Sequence, residues 1–141
     1  MTLSDDQLDR YARHIVLKEI GGAGQARLLS ADVAVIGAGG IGSPAILYLA
    51  AAGVGTIRVI DDDMVALSNL QRQVMFGTQD VGAPKAEVAM AAVARLNPDV
   101  KLIPINGRID ADNAALMLRD ADVVLDVSDS FTTRLAVAEI G

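Results

Sequence analysis

The chain has 141 residues, of which 52% are hydrophobic, 3% aromatic and 21% charged, and its formal net charge is -6. That length suits one domain with a core of its own. The acidic balance and scarce aromatics argue against a nucleic-acid surface, a base-stacking platform or an anionic-membrane surface, and the lack of cysteine excludes disulfides, thiolate metal sites and a cysteine nucleophile within these residues.

Ser4-Asp5-Asp6-Gln7 has the form of a capping box, and Leu8, Tyr11 and Ile15 recur at helical spacing, which predicts a helix over 5–18. Asp5, Asp6 and Asp9 stand where the basic start of a signal peptide would lie, so the chain reads as cytoplasmic. Gly21, Gly22 and Gly24 are expected to end that helix, with a short one over 25–30. Residues 1–30 thus read as an N-terminal helical extension and 31–141 as the main domain.

A strand is predicted over 32–37, a crossover helix over 42–52 with Pro44 in its first turn, and a second strand over 56–60. This βαβ unit should be parallel and right-handed. The apolar stretch 45–54 is too short to span a bilayer. A short helix capped by Ser68 is expected over 68–76, then a loop over 77–83, a long helix over 84–96 closed by Asn97-Pro98, and a strand over 100–105. A helix over 112–118, a strand over 122–127 and the start of a helix from Phe131 complete the chain. Alternating strands and helices predict an α/β fold, a Rossmann-like doubly wound and mainly parallel sheet in the order 3-2-1-4.

Val33, Ala34, Val35 and Ile36 lead directly into Gly37-Ala38-Gly39-Gly40-Ile41-Gly42, a G-x-G-x-x-G between a strand and a helix. Gly37 can make the tight turn, Gly39 lets the backbone approach a phosphate, and Gly42 lets the helix pack near the sheet. The free N–H groups at that helix start face the phosphate. Asp61 follows the second strand, 24 residues past Gly37, where a carboxylate accepts from ribose hydroxyls. Asp62 and Asp63 repel it and each other, so some of the three face solvent.

Asn69, Arg72 and Gln73 stand three and four apart, so a helix would put an amide, a guanidinium and an amide on one face, as suits phosphate oxygens or merely solvent. Lys85 opens a helix whose N-terminus prefers anions, either because a phosphate lies nearby or as a plain surface lysine. Asp126 and Asp129 stand at the C-terminal end of the fourth strand, where a carboxylate can hold Mg²⁺ or cap the next helix. His14, the one histidine, has no second histidine or cysteine with which to form a metal site.

Together these residues resemble the ThiF/MoeB/HesA family, the bacterial relatives of ubiquitin-activating enzymes. Arg10 to Ile15 is similar to its R-Y-x-R-x-I, Gly37 to Ser43 to its G-x-G-G-[IL]-G-[ST], and Asp61 to Gln73 to its D-x-D-x-V-x-x-S-N-L-x-R-Q. Lys85 and Asn97-Pro98 fit a P-K followed by N-P, while Ser130 departs from the family's D-x-x-D-N. The resemblance implies adenylation, with Mg-ATP, of the C-terminal carboxylate of a small ubiquitin-like sulfur-carrier protein in thiamine or molybdopterin biosynthesis. It implies that Gly37, Gly39, Gly40 and Gly42 cradle the nucleotide with Asp63 and Gln73 beside it, and that Asp61 binds ribose. It also gives Asn69, Arg72 and Lys85 to the triphosphate, Asp129 to Mg²⁺, and Arg13 to the phosphates of the other subunit of a homodimer. Family members continue well past residue 141, and zinc is expected only in such a further region, with its four cysteines.

Two other readings stand beside this one. A nucleotide-binding module without turnover would keep the cleft and lack the chemistry. A nicotinamide-dependent oxidoreductase would use the glycines and Asp61 but would leave Asn69, Arg72, Lys85 and Asp129 without a role.

Overall fold

The computed structural model describes residues 3–128 and 137–138. Four parallel strands form one sheet in the order β3-β2-β1-β4, as expected: β1 (Asp32–Ile36), β2 (Thr56–Asp61), β3 (Lys101–Asn106) and β4 (Val123–Asp126). Helix α4 (Gly42–Ala52) connects β1 to β2, α5 (Lys85–Leu96) connects β2 to β3, and α6 (Ala114–Met117) precedes β4. Pro104 lies in β3, an edge strand, where a missing N–H is tolerated on the open side.

The alternation of side chains along β1 divides the core between the sheet's two faces. Val33 and Val35 join Ile46 and Ala50 of α4 and Ala89 and Val93 of α5. Ala34 and Ile36 join Ile60, Ile109, Ala114 and Leu118 on the other face. Arg58 of β2 is kept among them by a 2.7 Å ion pair with Asp32 and by donating to the Met117 carbonyl at the end of α6.

The N-terminal extension differs from its prediction in two places. The capping box at Ser4 and Gln7 is present. The helix expected over 5–18 is instead two pieces, α1 (Asp5–Arg10) and α2 (Ala12–Ile15), broken at Tyr11. Tyr11 is 2% exposed, and its φ of -105° and ψ of 15° turn it off the helical path and into the protein. Conversely, Gly21, Gly22 and Gly24 do not end a helix; they begin α3 (Gly21–Ser30). Packing overrides propensity here, because buried Gln25 donates to the Ala52 carbonyl and fixes this segment against α4.

The helix expected over 68–76 is also absent. A short 3-10 turn, Leu67–Asn69, is followed by further turns. Ser68 does not cap it; Asn69 Oδ1 accepts from the Ala66 N–H at 2.9 Å instead. Within 77–83 a second 3-10 turn, Thr78–Asp80, interrupts the loop. Asp129, Ser130 and most of the segment from Phe131 lie outside the described residues.

Candidate nucleotide site

The C-terminal ends of β1, β2, β3 and β4 open into a cleft of about 650 Å³. In a doubly wound sheet this edge, at the switch between the first and last strands, is where ligands sit. Gly37, Gly39, Gly40, Asp61, Asp63, Asn69, Arg72, Gln73 and Lys85 all line it.

The glycine loop is shaped by two different demands. Gly37 has φ +101°, and a Cβ there would press on Ser128 N and the Val127 carbonyl at 3.2 Å. A Cβ on buried Gly42 would overlap the Gly37 carbonyl oxygen and stand 3.1 Å from Val127 Cγ2. So Gly42 closes the loop on itself as well as seating the helix. The middle pair is different. Nothing lies within 4 Å of a Cβ on Gly40, and at Gly39 only Gln73 Nε2 is near, at 3.6 Å. Protein packing does not require glycine at either position. Both leave open a cradle that a side chain would fill, which fits the close approach of a phosphate to backbone N–H groups.

Asp61 ends β2 and has a task that its position alone did not reveal. One carboxylate oxygen accepts from the Ala38 N–H at 2.8 Å, the other from the Asp63 N–H at 2.7 Å. It thereby ties the glycine loop to the loop after β2. Each oxygen keeps a lone pair for a further donor, such as a ribose hydroxyl.

Lys85 is 5% exposed, which removes the plain surface-lysine reading. It opens α5, and its Nζ faces the cleft 3.9 Å from Asp63 Oδ2. Asn69, Arg72 and Gln73 reach the cleft together although no long helix carries them. The Arg72 and Gln73 N–H groups both donate to the Asn69 carbonyl, a single helical turn that suffices to align the three. Gln73 is 3% exposed, and its buried Oε1 has no hydrogen-bond partner among the described residues. A buried acceptor without a donor costs about 1–3 kcal/mol, which a ligand in the cleft would relieve.

Asp61, Asp62 and Asp63 bring carboxylate oxygens within 4.8 Å of one another. Each is already engaged: Asp61 by two N–H groups, Asp62 by Arg108 Nε at 3.3 Å and Asp63 by Lys85. The arrangement suits a neutralised cleft mouth better than a metal ion. Arg108 and its neighbours Gly107 and Ile109 also line the cleft and were not anticipated. They follow β3, and the sheet order that sets β3 beside β2 could have indicated them. Arg13 is exposed and does not line the cleft of its own chain. Asp129, the expected Mg²⁺ ligand, lies outside the described residues.

The model of the ThiF family matches residues 11–141. The chain belongs to the ThiF family. The SAMP-activating enzyme E1 of Haloferax volcanii is 55% identical over 142 residues, spanning 99% of this chain and 53% of that protein. The sulfur carrier protein ThiS adenylyltransferase of Escherichia coli is 46% identical over 132 residues, 94% of this chain and 53% of its own length. Among solved structures, E. coli tRNA N6-threonylcarbamoyladenosine dehydratase, TcdA, in complex with ATP has a TM-score of 0.88 at 30% identity, covering 96% of this chain and 56% of that one. The chain thus spans about half the length of these ThiF-family relatives.

Proposed function

We propose that this cleft binds ATP with Mg²⁺ and activates the C-terminal carboxylate of a ubiquitin-like sulfur-carrier protein as an acyl-adenylate, in thiamine or molybdopterin biosynthesis. The observation that carries the reading is the convergence of the open Gly39–Gly40 cradle, Asp61, Asn69, Arg72, Gln73 and buried Lys85 on one cavity. Relatives bearing the names of a SAMP-activating E1, a ThiS adenylyltransferase and a molybdopterin-synthase adenylyltransferase support the carrier as substrate.

In this reading the glycine-loop N–H groups and the α4 N-terminus receive phosphate oxygens, and Asp61 receives the ribose. The carrier's carboxylate oxygen attacks the α-phosphorus, the bond to the β-phosphate bridging oxygen breaks, and pyrophosphate leaves. Arg72 and Lys85 offset the charge that gathers on the phosphates, so positioning and charge neutralisation do most of the work. Mg²⁺ supplies further charge neutralisation when bound, with Asp129 as the ligand proposed for it. In this reading the activity is cytoplasmic, where ATP is available.

The assembly in this reading is a homodimer in which Arg13 of each subunit serves the partner's phosphates, an isologous arrangement with two composite sites. Its exposure, away from its own cleft, supports that role. The nucleotide assignment is tested by thermal unfolding: ATP with Mg²⁺ at 100 times its Kd should add about 2.7 kcal/mol and raise the Tm, while NAD should leave it unchanged. A rise with NAD alone would favour the oxidoreductase reading and overturn this one.

A further inference from the structure

The extension grips the main domain through polar groups rather than apolar packing alone. Asn97 Nδ2 donates to the Tyr11 hydroxyl at 2.8 Å and to the Ala50 carbonyl at 2.8 Å, and the hydroxyl donates to Asp99 Oδ2 at 3.2 Å. Arg10 Nη1 donates to the Leu96 carbonyl at 3.0 Å. Gln25 Nε2 donates to the Ala52 carbonyl, so its Oε1 accepts from His14 Nδ1 at 3.0 Å. Gly53 leaves the room: a Cβ there would lie 2.7 Å from both Tyr11 and Gln25.

All these anchors are at the C-terminal ends of α4 and α5, whereas both helices begin at the cleft, next to Gly42 and at Lys85. The grip is therefore about 15 Å, the rise of α4, from the nucleotide site of its own chain. Without the Tyr11 hydroxyl, one of the two N–H groups of fully buried Asn97 loses its acceptor, at a cost in stability. The other N–H keeps the Ala50 carbonyl, and exposed Asp99 meets water. A phenyl ring would fill the same buried space. Beyond that, the hydroxyl adds direction, because two hydrogen bonds fix how the Tyr11 break lies and hence where Arg13, two residues on, is presented.

We propose that Tyr11, through Asn97 and Asp99, is a positioning residue that aims Arg13 at the cleft of a second copy of the chain. The inference rests on the composite-dimer reading above. Tyr11→Phe should lower carrier-dependent ATP–pyrophosphate exchange roughly 10–100-fold, the loss that a misplacement of about 1 Å brings. The defect should be repaired in trans. Lys85→Ala subunits have a dead cleft and an intact extension, so an equimolar mixture with Tyr11→Phe subunits should recover about a quarter of wild-type activity, from one intact site in half the dimers. An Arg13→Ala and Lys85→Ala mixture is run alongside, and Asp99→Ala repeats the test should Tyr11→Phe fold poorly. Recovery in both mixtures supports the inference. Recovery with Arg13→Ala but not with Tyr11→Phe or Asp99→Ala overturns it and leaves the composite dimer standing. Recovery in neither overturns both, and full activity of Tyr11→Phe alone overturns the positioning role.

Discussion

A lysine in the first turn of a helix opposes the helix dipole, and Lys85 is buried there as well. Its partner Asp63 is 3.9 Å away with a mostly exposed carboxylate, so the pair is worth little to the fold. An ammonium held at such a place fits the proposed role of receiving an anion that comes and goes. Lys85→Met keeps the stem and removes the charge. It should leave the unfolding free energy within about 1 kcal/mol of wild type and lower adenylation roughly 10²–10³-fold, the usual loss for one electrostatic stabiliser. Thermal unfolding and pyrophosphate exchange measure the two quantities; loss of Tm without loss of exchange would return Lys85 to a structural role. Asp61 was legible from its place after a strand, but its bonds to Ala38 and Asp63 were not, since they depend on how two loops meet. Arg108 carried no local signal, being a lone arginine after a strand, and only the sheet order that sets β3 beside β2 could have pointed to it.

At the level of elements, the glycine loop separates folding from binding. Gly42→Ala would overlap the Gly37 carbonyl oxygen, and the resulting shift should cost about 1–3 kcal/mol of stability together with nucleotide affinity. Gly40→Ala meets open space, so it should leave the Tm unchanged and weaken ATP binding alone. Calorimetry on the two variants checks the contrast; equal affinity in Gly40→Ala and wild type would mean that no phosphate sits in the cradle. The Tyr11 break gives a second element-scale test. Burial, with the Asp99 carboxylate adding to it and the Asn97 bond opposing, pushes the phenol above its ordinary value of 10.0. The neutral folded form is favoured, so its contribution is full below the unfolded pKa and is lost as pH rises through the folded one. Tyr11→Phe lacks this loss, and between about pH 9 and pH 11 its Tm should fall less steeply than that of wild type. Strand and glycine-loop positions were readable because period and dihedral demands are local. The break at Tyr11, the helical start at Gly21 and the turn at Leu67–Asn69 were not. Each is decided by a tertiary contact or by a side chain that outcompetes the nearest cap.

For the whole molecule, sheet order does what no single motif can. The order 3-2-1-4 gathers the ends of four strands at one edge and so turns motifs spread from Gly37 to Ser128 into one cleft. The same topology sends α4 and α5 away from that edge, and the extension docks on their far ends, bonded to the carbonyls of Ala52 and Leu96. Among the described residues no helix is long and apolar enough to cross a membrane. The central claim is that this cleft activates a carboxylate with ATP, and ATP–pyrophosphate exchange measures that step alone. With Mg²⁺ and a carrier protein ending in a free carboxylate, label should pass from pyrophosphate into ATP, and the exchange should vanish when the carrier's C-terminal residue is deleted. ATP binding with no exchange under those conditions would contradict the account and leave a nucleotide-binding module without turnover.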